Sequence, residues 1–324
     1  MKKFISILLA LMLVMSLGTV AFAAERDTTI TKNYDKNGSS AVSPAETFSF
    51  TVEYVTATNK GTNFNEDNAR ANVPSIASAV FAEGDAGKAD SAKQLAISLP
   101  EYDDIGVYEY KVTENATNTA GVVAVNEFKL VVTVAYNKTN GKYETIAIHT
   151  ESGEDAAKSS EITNTYSAGT LAITKEVTGA FGDRNQVFTV AVTFNAPDGK
   201  NVRSNVTFTD DAVAKSVEWN EAGTVGTATI TLKHDETVTF NNIPAGVTYT
   251  VVETPAADYD APVYNTEGGY AITEAEDDTL TITNNKGGTV DTGISLDSLP
   301  YILMLVVVGA AIVVVSTRKK GEQF

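Results

Sequence analysis

The chain of 324 residues contains no cysteine, and that absence limits both its chemistry and its means of stabilisation. Without cysteine there can be no disulfide, no cysteine nucleophile and no lipid-modified cysteine after a secretion signal. Histidine is nearly as scarce, because His149 and His234 are the only two and fall in different halves of the chain. No Ser/His/Asp set and no metal-ligand spacing accompanies them. We therefore expect no metal, no cofactor and no secreted enzyme that turns over a substrate.

Positive charge is also sparse. Residues 24–292 carry 19 lysines and arginines against 39 aspartates and glutamates, which gives a net charge of −20. Such a surface is repelled by nucleic acid and by anionic membranes. The acidic pairs Asp103-Asp104 and Asp277-Asp278 lack the ligand spacing of a calcium loop. The composition therefore excludes nucleic acid as an expected partner.

The N-terminus has the pattern of a secretory signal peptide. Lys2 and Lys3 precede an apolar run over residues 4–17, and Ala21-Phe22-Ala23 supplies the small residues of a cleavage site. We predict a signal peptide over residues 1–23, removed after Ala23. A secreted chain without disulfides has to be stabilised by some other means.

The C-terminus has a second targeting pattern. An apolar stretch over residues 299–316 is long enough for a transmembrane helix, and Arg318, Lys319 and Lys320 follow it as a basic tail that favours the cytoplasmic side. An ordinary single-span anchor is one interpretation. Thr292-Gly293 lies just upstream, however, and the order of Thr-Gly motif, spacer, apolar span and basic tail resembles a Gram-positive cell-wall sorting signal over residues 287–324.

That resemblance implies that a sortase cuts between Thr292 and Gly293 and passes the threonine carbonyl to an amine. The chain would then contact the membrane only before sorting, and would end on peptidoglycan or on another subunit. Thr289 and Val290 stand where the usual motif has leucine and proline. The identity of the sortase is therefore left open by the sequence.

Between the two ends, alternating apolar and threonine-rich runs bounded by turn residues predict an all-β protein. An internal repeat divides it, because each half opens with Ile-Thr-Lys and closes with Ile-Thr-Asn. We predict two tandem Ig-like β-sandwich domains, residues 24–166 and 170–286, joined end to end by Ser167-Ala168-Gly169. A short helix over residues 76–81 is expected inside an irregular insertion at about residues 59–92.

Two matching trios of polar residues fall on strand faces that should be buried. Strand side chains alternate between faces, and every member of the trios shares its face with apolar residues two positions away. An amide buried without a partner costs roughly 2–7 kcal/mol, and a charge costs more. The repetition of so costly an arrangement indicates a shared purpose. The trios are Lys32, Glu114 and Asn164 in the first half, and Lys175, Glu253 and Asn284 in the second.

These residue types suit one reaction. Burial disfavours the charged form of lysine and leaves a nucleophilic amine, and it favours the protonated form of a glutamic acid. The amine can attack an asparagine carbonyl that this acid polarises, and folding supplies the proximity. Ammonia leaves and a Lys–Asn isopeptide bond remains. The alternative interpretation is a buried polar cluster held by hydrogen bonds alone.

The chain resembles the two-domain, streptococcal T-antigen-type major pilins and their isopeptide-forming Ig-like domains. The resemblance implies that Lys32 bonds Asn164 with Glu114 as catalyst, and that Lys175 bonds Asn284 with Glu253 as catalyst. It also implies a pilus shaft subunit on the surface of a Gram-positive bacterium, with a sortase, other pilin subunits and peptidoglycan as partners. The matching stretches are residues 30–33, 106–114, 162–164, 171–179, 182–184, 243–249, 252–253 and 281–284.

The same resemblance implies an external lysine, late in the first domain, that attacks the sortase-bound threonine of another subunit. Lys158, six positions before Asn164, is the candidate. An ordinary surface lysine is the alternative. A different class of function also stays open at this point, namely a monomeric wall-anchored adhesin that binds a host or neighbour-cell ligand. The isopeptide chemistry would occur once per bond, so neither function makes the chain an enzyme.

Overall fold

The computed structural model describes residues 29–152, 157–159, 161–265, 272 and 277–288, and nearly all the regular secondary structure in these ranges is β-strand. They form two tandem β-sandwiches, as the alternating pattern predicts. No helix within the described ranges is both long and apolar enough to cross a membrane. The expected signal peptide, the Thr292-Gly293 motif and the apolar span over residues 299–316 lie outside the described residues.

Among the described residues, the N-terminal sandwich contains eleven strands of its own, one short helix and the first half of a long shared strand. These elements are β1 (Thr29–Asn37), β2 (Glu46–Phe48), β3 (Phe50–Thr58), α1 (Glu66–Ala71), β4 (Ser75–Ile76), β5 (Ala79–Phe81), β6 (Lys93–Ser98), β7 (Gly106–Glu114), β8 (Val122–Val123), β9 (Glu127–Asn137), β10 (Lys142–Ser152), β11 (Ala157–Ser159) and the shared β12 (Glu161–Thr178).

In the part of the chain that the structure describes, the C-terminal sandwich uses the second half of β12 and nine further strands. They are β13 (Phe188–Asn195), β14 (Thr207–Asp210), β15 (Val213–Ser216), β16 (Glu218–Trp219), β17 (Val225–Leu232), β18 (Thr237–Pro244), β19 (Thr248–Glu253), β20 (Val263–Tyr264) and β21 (Asp277–Asn285).

Both sandwiches place their first and last strands side by side and parallel. In the N-terminal sandwich β1 pairs with β12, flanked by β6 and β4, and an antiparallel sheet of order β11-β10-β9-β7-β3 packs opposite. In the C-terminal sandwich β12 pairs with β21, flanked by β18, β14 and β15, opposite a sheet of order β16-β17-β13-β19. A parallel pair cannot be closed by a tight hairpin, so each pair joins regions that are far apart in sequence.

Strand β12 crosses from one sandwich to the other without a break. Asn164 and its even-numbered neighbours face the first core, and Lys175 and its odd-numbered neighbours face the second. The change of parity coincides with a register shift between Gly169 and Leu171. Residues 167–169, expected from the sequence to be a connector, are therefore part of a continuous strand. A bulge of this kind re-aims the side chains while the backbone pairing continues.

Polar contacts stiffen the junction between the sandwiches. The buried Glu46 accepts hydrogen bonds from Thr117, at 3.1 Å, and from Arg203 of the C-terminal sandwich, also at 3.1 Å. Asn242 accepts from the Val42 backbone N–H at 2.9 Å and donates to the Val42 carbonyl at 3.0 Å. Through Glu46–Arg203 and Val42–Asn242, the N-terminal half is hydrogen-bonded directly to the C-terminal sandwich.

The expected helix over residues 76–81 is wrong. Ser75–Ile76 and Ala79–Phe81 are the short strands β4 and β5, which pair with β6 and β2. The helix of this region is α1, where Asn65 caps the N-terminus by accepting a hydrogen bond from the Asn68 N–H at 3.1 Å. Pairing with distant strands decides the outcome for so short an apolar run.

Candidate functional site

The structure buries all six members of the two trios and brings each trio together. In the N-terminal sandwich the Lys32 side chain extends from β1 towards Asn164 on β12, and Glu114 reaches both from the end of β7 in the opposite sheet. The exposed fractions of the three residues are 0%, 4% and 0%. Lys32 is level with Ile162 in the parallel register, two positions before Asn164, so both side chains lie on the same face.

One carboxyl group bridges the amine and the amide of this trio. Lys32 Nζ lies 2.9 Å from Glu114 Oε2, and Asn164 Nδ2 donates to Glu114 Oε1 at 2.6 Å. The two oxygens of the acid therefore contact the attacking nitrogen and the nitrogen that would leave. This geometry suits a carboxyl group that takes a proton from the amine on one side and delivers a proton to the amide on the other.

The Asn164 carbonyl oxygen has a separate donor, the Val125 backbone N–H, at 3.0 Å. Because a backbone N–H can only donate, this contact fixes the orientation of the amide and turns its nitrogen towards Glu114. From the sequence, the acid is expected to polarise the carbonyl, whereas in the structure it contacts the amide nitrogen. Val125 had no signal in the sequence, since the group that acts belongs to the backbone.

The C-terminal trio repeats the arrangement with a shift of the amine. Asn284 Nδ2 donates to Glu253 Oε1 at 2.6 Å, as in the first trio. Lys175 Nζ, however, lies 2.9 Å from Asn284 Oδ1 and 3.4 Å from Glu253 Oε2. Exposed fractions are 0% for Lys175, 2% for Glu253 and 0% for Asn284. Lys175 is level with Ile282 of β21, again two positions before the asparagine.

An aromatic ring lies beside each amine. Lys32 Nζ is 5.0 Å from the centre of the Phe48 ring, and Lys175 Nζ is 4.4 Å from that of Phe188. Burial is the largest influence on both amines and lowers the pKa of Lys32 and of Lys175 from the ordinary 10.5, although the nearby glutamates act in the opposite direction. Desolvation thus increases the fraction of neutral, nucleophilic amine.

The arrangement can carry out an amide exchange whose atoms balance. The neutral lysine nitrogen attacks the asparagine carbonyl carbon and forms a C–N bond. The attacking nitrogen gives up a proton to the carboxyl group, which delivers a proton to the amide nitrogen. The original C–N bond then breaks and ammonia leaves. No oxidant, metal or cofactor enters this scheme, and no group of three or more metal-binding side chains occurs among the residues that the structure describes.

The external lysine candidate is on a strand that holds no member of either trio. Lys158 belongs to β11, at the edge of the five-stranded sheet, where it is paired in register with Glu151 of β10. An edge strand is accessible to another protein. Thr292 and Gly293 lie outside the described residues.

Comparison with protein families gives two matches that together span most of the described chain. Residues 28–167 match the family model described as a Spy0128-like isopeptide containing domain, and residues 169–286 match a domain of unknown function. The boundary between the two matches falls at residue 168, inside the segment of β12 where the strand passes between sandwiches.

Similar proteins come from Streptococcus pyogenes. The protein named Pilin from serotype M1 is 26% identical over 313 residues, which is 90% of each chain. The pilus tip adhesin Cpa is 30% identical over 131 residues, 39% of this chain and 18% of that one. The crystal structure of a major pilin from this species matches with a TM-score of 0.54 and 24% identity, over 80% of this chain and 98% of that one. The T3.2 major pilin matches with a TM-score of 0.54 and 19% identity.

Proposed function

We propose, from the premise that this chain is a homologue of the streptococcal major pilins, that it is the shaft subunit of a pilus on the surface of a Gram-positive bacterium. Pilin homologues are structural proteins, and this chain is a structural subunit of a pilus. The observation that supports a cross-linked shaft subunit is the contact of amine, acid and amide in two buried trios. Within each trio the contacting polar atoms of lysine, glutamate and asparagine are 2.6–3.4 Å apart. A shaft under tension benefits from covalent bonds inside each subunit.

In this proposal each sandwich closes itself with one isopeptide bond. Lys32 joins Asn164 with Glu114 as the proton carrier, and Lys175 joins Asn284 with Glu253 in that role. The cross-linked domains are residues 24–166 and 170–286. Each acid acts once per molecule, so the reaction is a maturation step. It replaces the disulfides that a chain without cysteine lacks.

The proposal includes processing at both ends. A signal peptide over residues 1–23 directs secretion, and the segment 287–324 holds the chain in the membrane until sorting. A sortase cuts between Thr292 and Gly293 and passes the threonine to an amine of another subunit or of peptidoglycan. Lys158 is our candidate for the subunit amine, supported by its place on the edge strand β11.

The shaft proposal is tested by the size of the protein in wall extracts. Wild-type cells should yield ladders of high molecular mass that resist boiling in detergent, and the Lys158→Ala variant should yield none. Lys142→Ala is the matched control, because Lys142 is exposed on the neighbouring strand β10, and its ladders should match those of the wild type. A single sharp band from wild-type cells would instead favour a monomeric wall-anchored adhesin. Unchanged ladders from Lys158→Ala would exclude Lys158 as the joining amine.

The number of protons that the lysine and the acid of each trio must hold predicts a bell-shaped dependence of bond formation on pH. The amine must be neutral while the acid holds a proton, so the reactive pair carries one proton in all. Acidification adds a second proton and stops attack. Alkali removes the only proton and slows the reaction. Because burial lowers the pKa of Lys32 and Lys175, this fall in rate with rising pH should begin before pH 10.5 is reached.

The measurement uses unreacted precursor recovered from inclusion bodies in urea and refolded at a series of pH values. Intact mass follows the loss of one ammonia per bond, and far-UV circular dichroism shows that folding is complete at each pH. A rate that continues to rise beyond pH 10.5 would show that the acid contributes nothing in its protonated form.

A further inference from the structure

A single segment, residues 115–126, connects the acid of the N-terminal trio with the donor to the trio's carbonyl. It begins directly after Glu114, at the end of β7, and leads through Val125 to β9. Its ends are held together, because the Glu114 backbone N–H donates to the Asn126 carbonyl at 3.1 Å. We call residues 115–126 the bridging segment. Its position decides where the Val125 N–H points.

The middle of the bridging segment is docked on the C-terminal sandwich. The Asn201 N–H donates to the Asn118 carbonyl at 2.7 Å, and the Ala120 N–H donates to the Asn201 carbonyl at 2.8 Å. Lys200 Nζ donates to the Thr117 carbonyl at 2.6 Å. Ala120 is fully buried and packs within the hydrophobic core of the C-terminal sandwich. Part of the N-terminal half thus completes the other domain.

Between the docking point and Val125 the backbone path is fixed. Gly121 has a φ of +78°, and a Cβ there would lie 2.6 Å from the Ser167 carbonyl oxygen. The Ser167 N–H donates to the Gly121 carbonyl at 2.8 Å, and the next residues form β8, which pairs with β12. Only glycine permits so close an approach in this backbone conformation. Docking is therefore transmitted along the chain to Val125.

The Val125 N–H touches the atom on which charge develops. When an amine attacks Asn164, the carbonyl oxygen gains negative charge, and a fixed donor 3.0 Å away stabilises it. We infer that the Val125 N–H is a catalytic donor for the N-terminal isopeptide bond, and that docking of the bridging segment on the C-terminal sandwich positions it. The N-terminal bond therefore forms only after the C-terminal sandwich has folded. This inference rests on the proposed cross-linking.

The direct test replaces the Val125 amide by an ester, through incorporation of the corresponding α-hydroxy acid. The ester keeps the shape and removes the N–H. Unreacted precursor is refolded, and tryptic mass spectrometry follows the cross-linked peptides of both bonds in the same sample. We expect the N-terminal bond to form roughly 10²–10³-fold more slowly, and the C-terminal bond at its normal rate. Val125→Pro also removes the N–H and should reproduce the ester.

A purely structural role for Val125 predicts a different result. In a Lys32→Met background, where the N-terminal bond cannot form, the ester would then lower the unfolding midpoint of the N-terminal sandwich. In the reactive background the folded chain would still cross-link at the normal rate. That normal rate would overturn the inference.

Docking is tested from the other side of the junction. Lys200→Ala removes the contact with the Thr117 carbonyl and lies outside the N-terminal trio. It should slow the N-terminal bond and leave the C-terminal bond unchanged, whereas Lys233→Ala, in the same sandwich, should slow neither. If neither bond forms in the wild type, the proposed function fails. If both form but the N-terminal rate is insensitive to Val125 and Lys200, only the present inference fails.

Discussion

In the Asn284→Ala variant the Lys175 amine is expected to stay free of the bond. The C-terminal sandwich should then unfold at a melting temperature far below that of the wild type. The proposed bond joins residues 109 positions apart. Closing a loop of about 100 residues contributes about 4.7 kcal/mol in the chain-entropy treatment of disulfides, the closest covalent analogue. For a domain of about 120 residues this corresponds to a fall in Tm of roughly 15–20 °C. The N-terminal transition should stay unchanged.

The neighbouring residue offers a matched control. Asn285 is exposed at the end of β21, where its side chain bonds Asp260 at 2.7 Å. Asn285→Ala removes the same chemical group one position away, and should keep the bond and lose at most about 1 kcal/mol. Intact mass distinguishes the variants, because only Asn285→Ala and the wild type have lost the ammonia that leaves Asn284 when the C-terminal bond forms. Equal melting temperatures for Asn284→Ala and the wild type would contradict a stabilising bond.

Pulled from its two ends, the mature wild-type protein should extend very little before the tether breaks. Force would pass from Lys32 to Asn164, along β12 to Lys175, and then across to Asn284. Both chain loops lie outside this path. Because Lys32 pairs beside the strand of Asn164, and Lys175 beside that of Asn284, each bond would bridge strands already in register and would be loaded at once.

Each asparagine variant should release one loop. Asn284→Ala frees 109 residues, which at about 3.4 Å per residue gives an extension of roughly 370 Å less the folded length. Asn164→Ala frees the chain between positions 32 and 164, a longer step of roughly 450 Å. Single-molecule force spectroscopy with handles at the two ends of the mature chain measures both. An unfolding step of either size in the wild type would show that the matching bond is absent.

The point of attachment changes the expected result for one variant. If subunits are joined through Lys158, force enters only six residues before Asn164. Most of the N-terminal sandwich would then lie outside the load path. With a handle at position 158, Asn164→Ala should lose its long step, while Asn284→Ala should keep its own. A long step from Asn164→Ala in this geometry would argue for a different path through the N-terminal sandwich.

The first insertion has its helix at Glu66–Ala71 and not at the predicted residues 76–81. The signals for α1 are present in the sequence: Asn65 as a cap, Glu66 and Asp67 in the first turn and Arg70 in the last. The prediction instead places the helix at residues 76–81, where a short apolar run suits helix and strand equally. Pairing of that run with β6 and β2 decides for strands, and nothing within the run reveals it.

The sequence by itself determined the all-β class and the burial of the six trio residues, because side-chain alternation along a strand is a local property that parity reveals. Only the tertiary structure decided which atoms meet. It placed Glu114 against the amide nitrogen of Asn164, brought the Val125 N–H to the carbonyl, and ran β12 unbroken through both sandwiches. Those contacts join backbone and side-chain groups from distant parts of the chain, and their geometry depends on packing that no local pattern encodes.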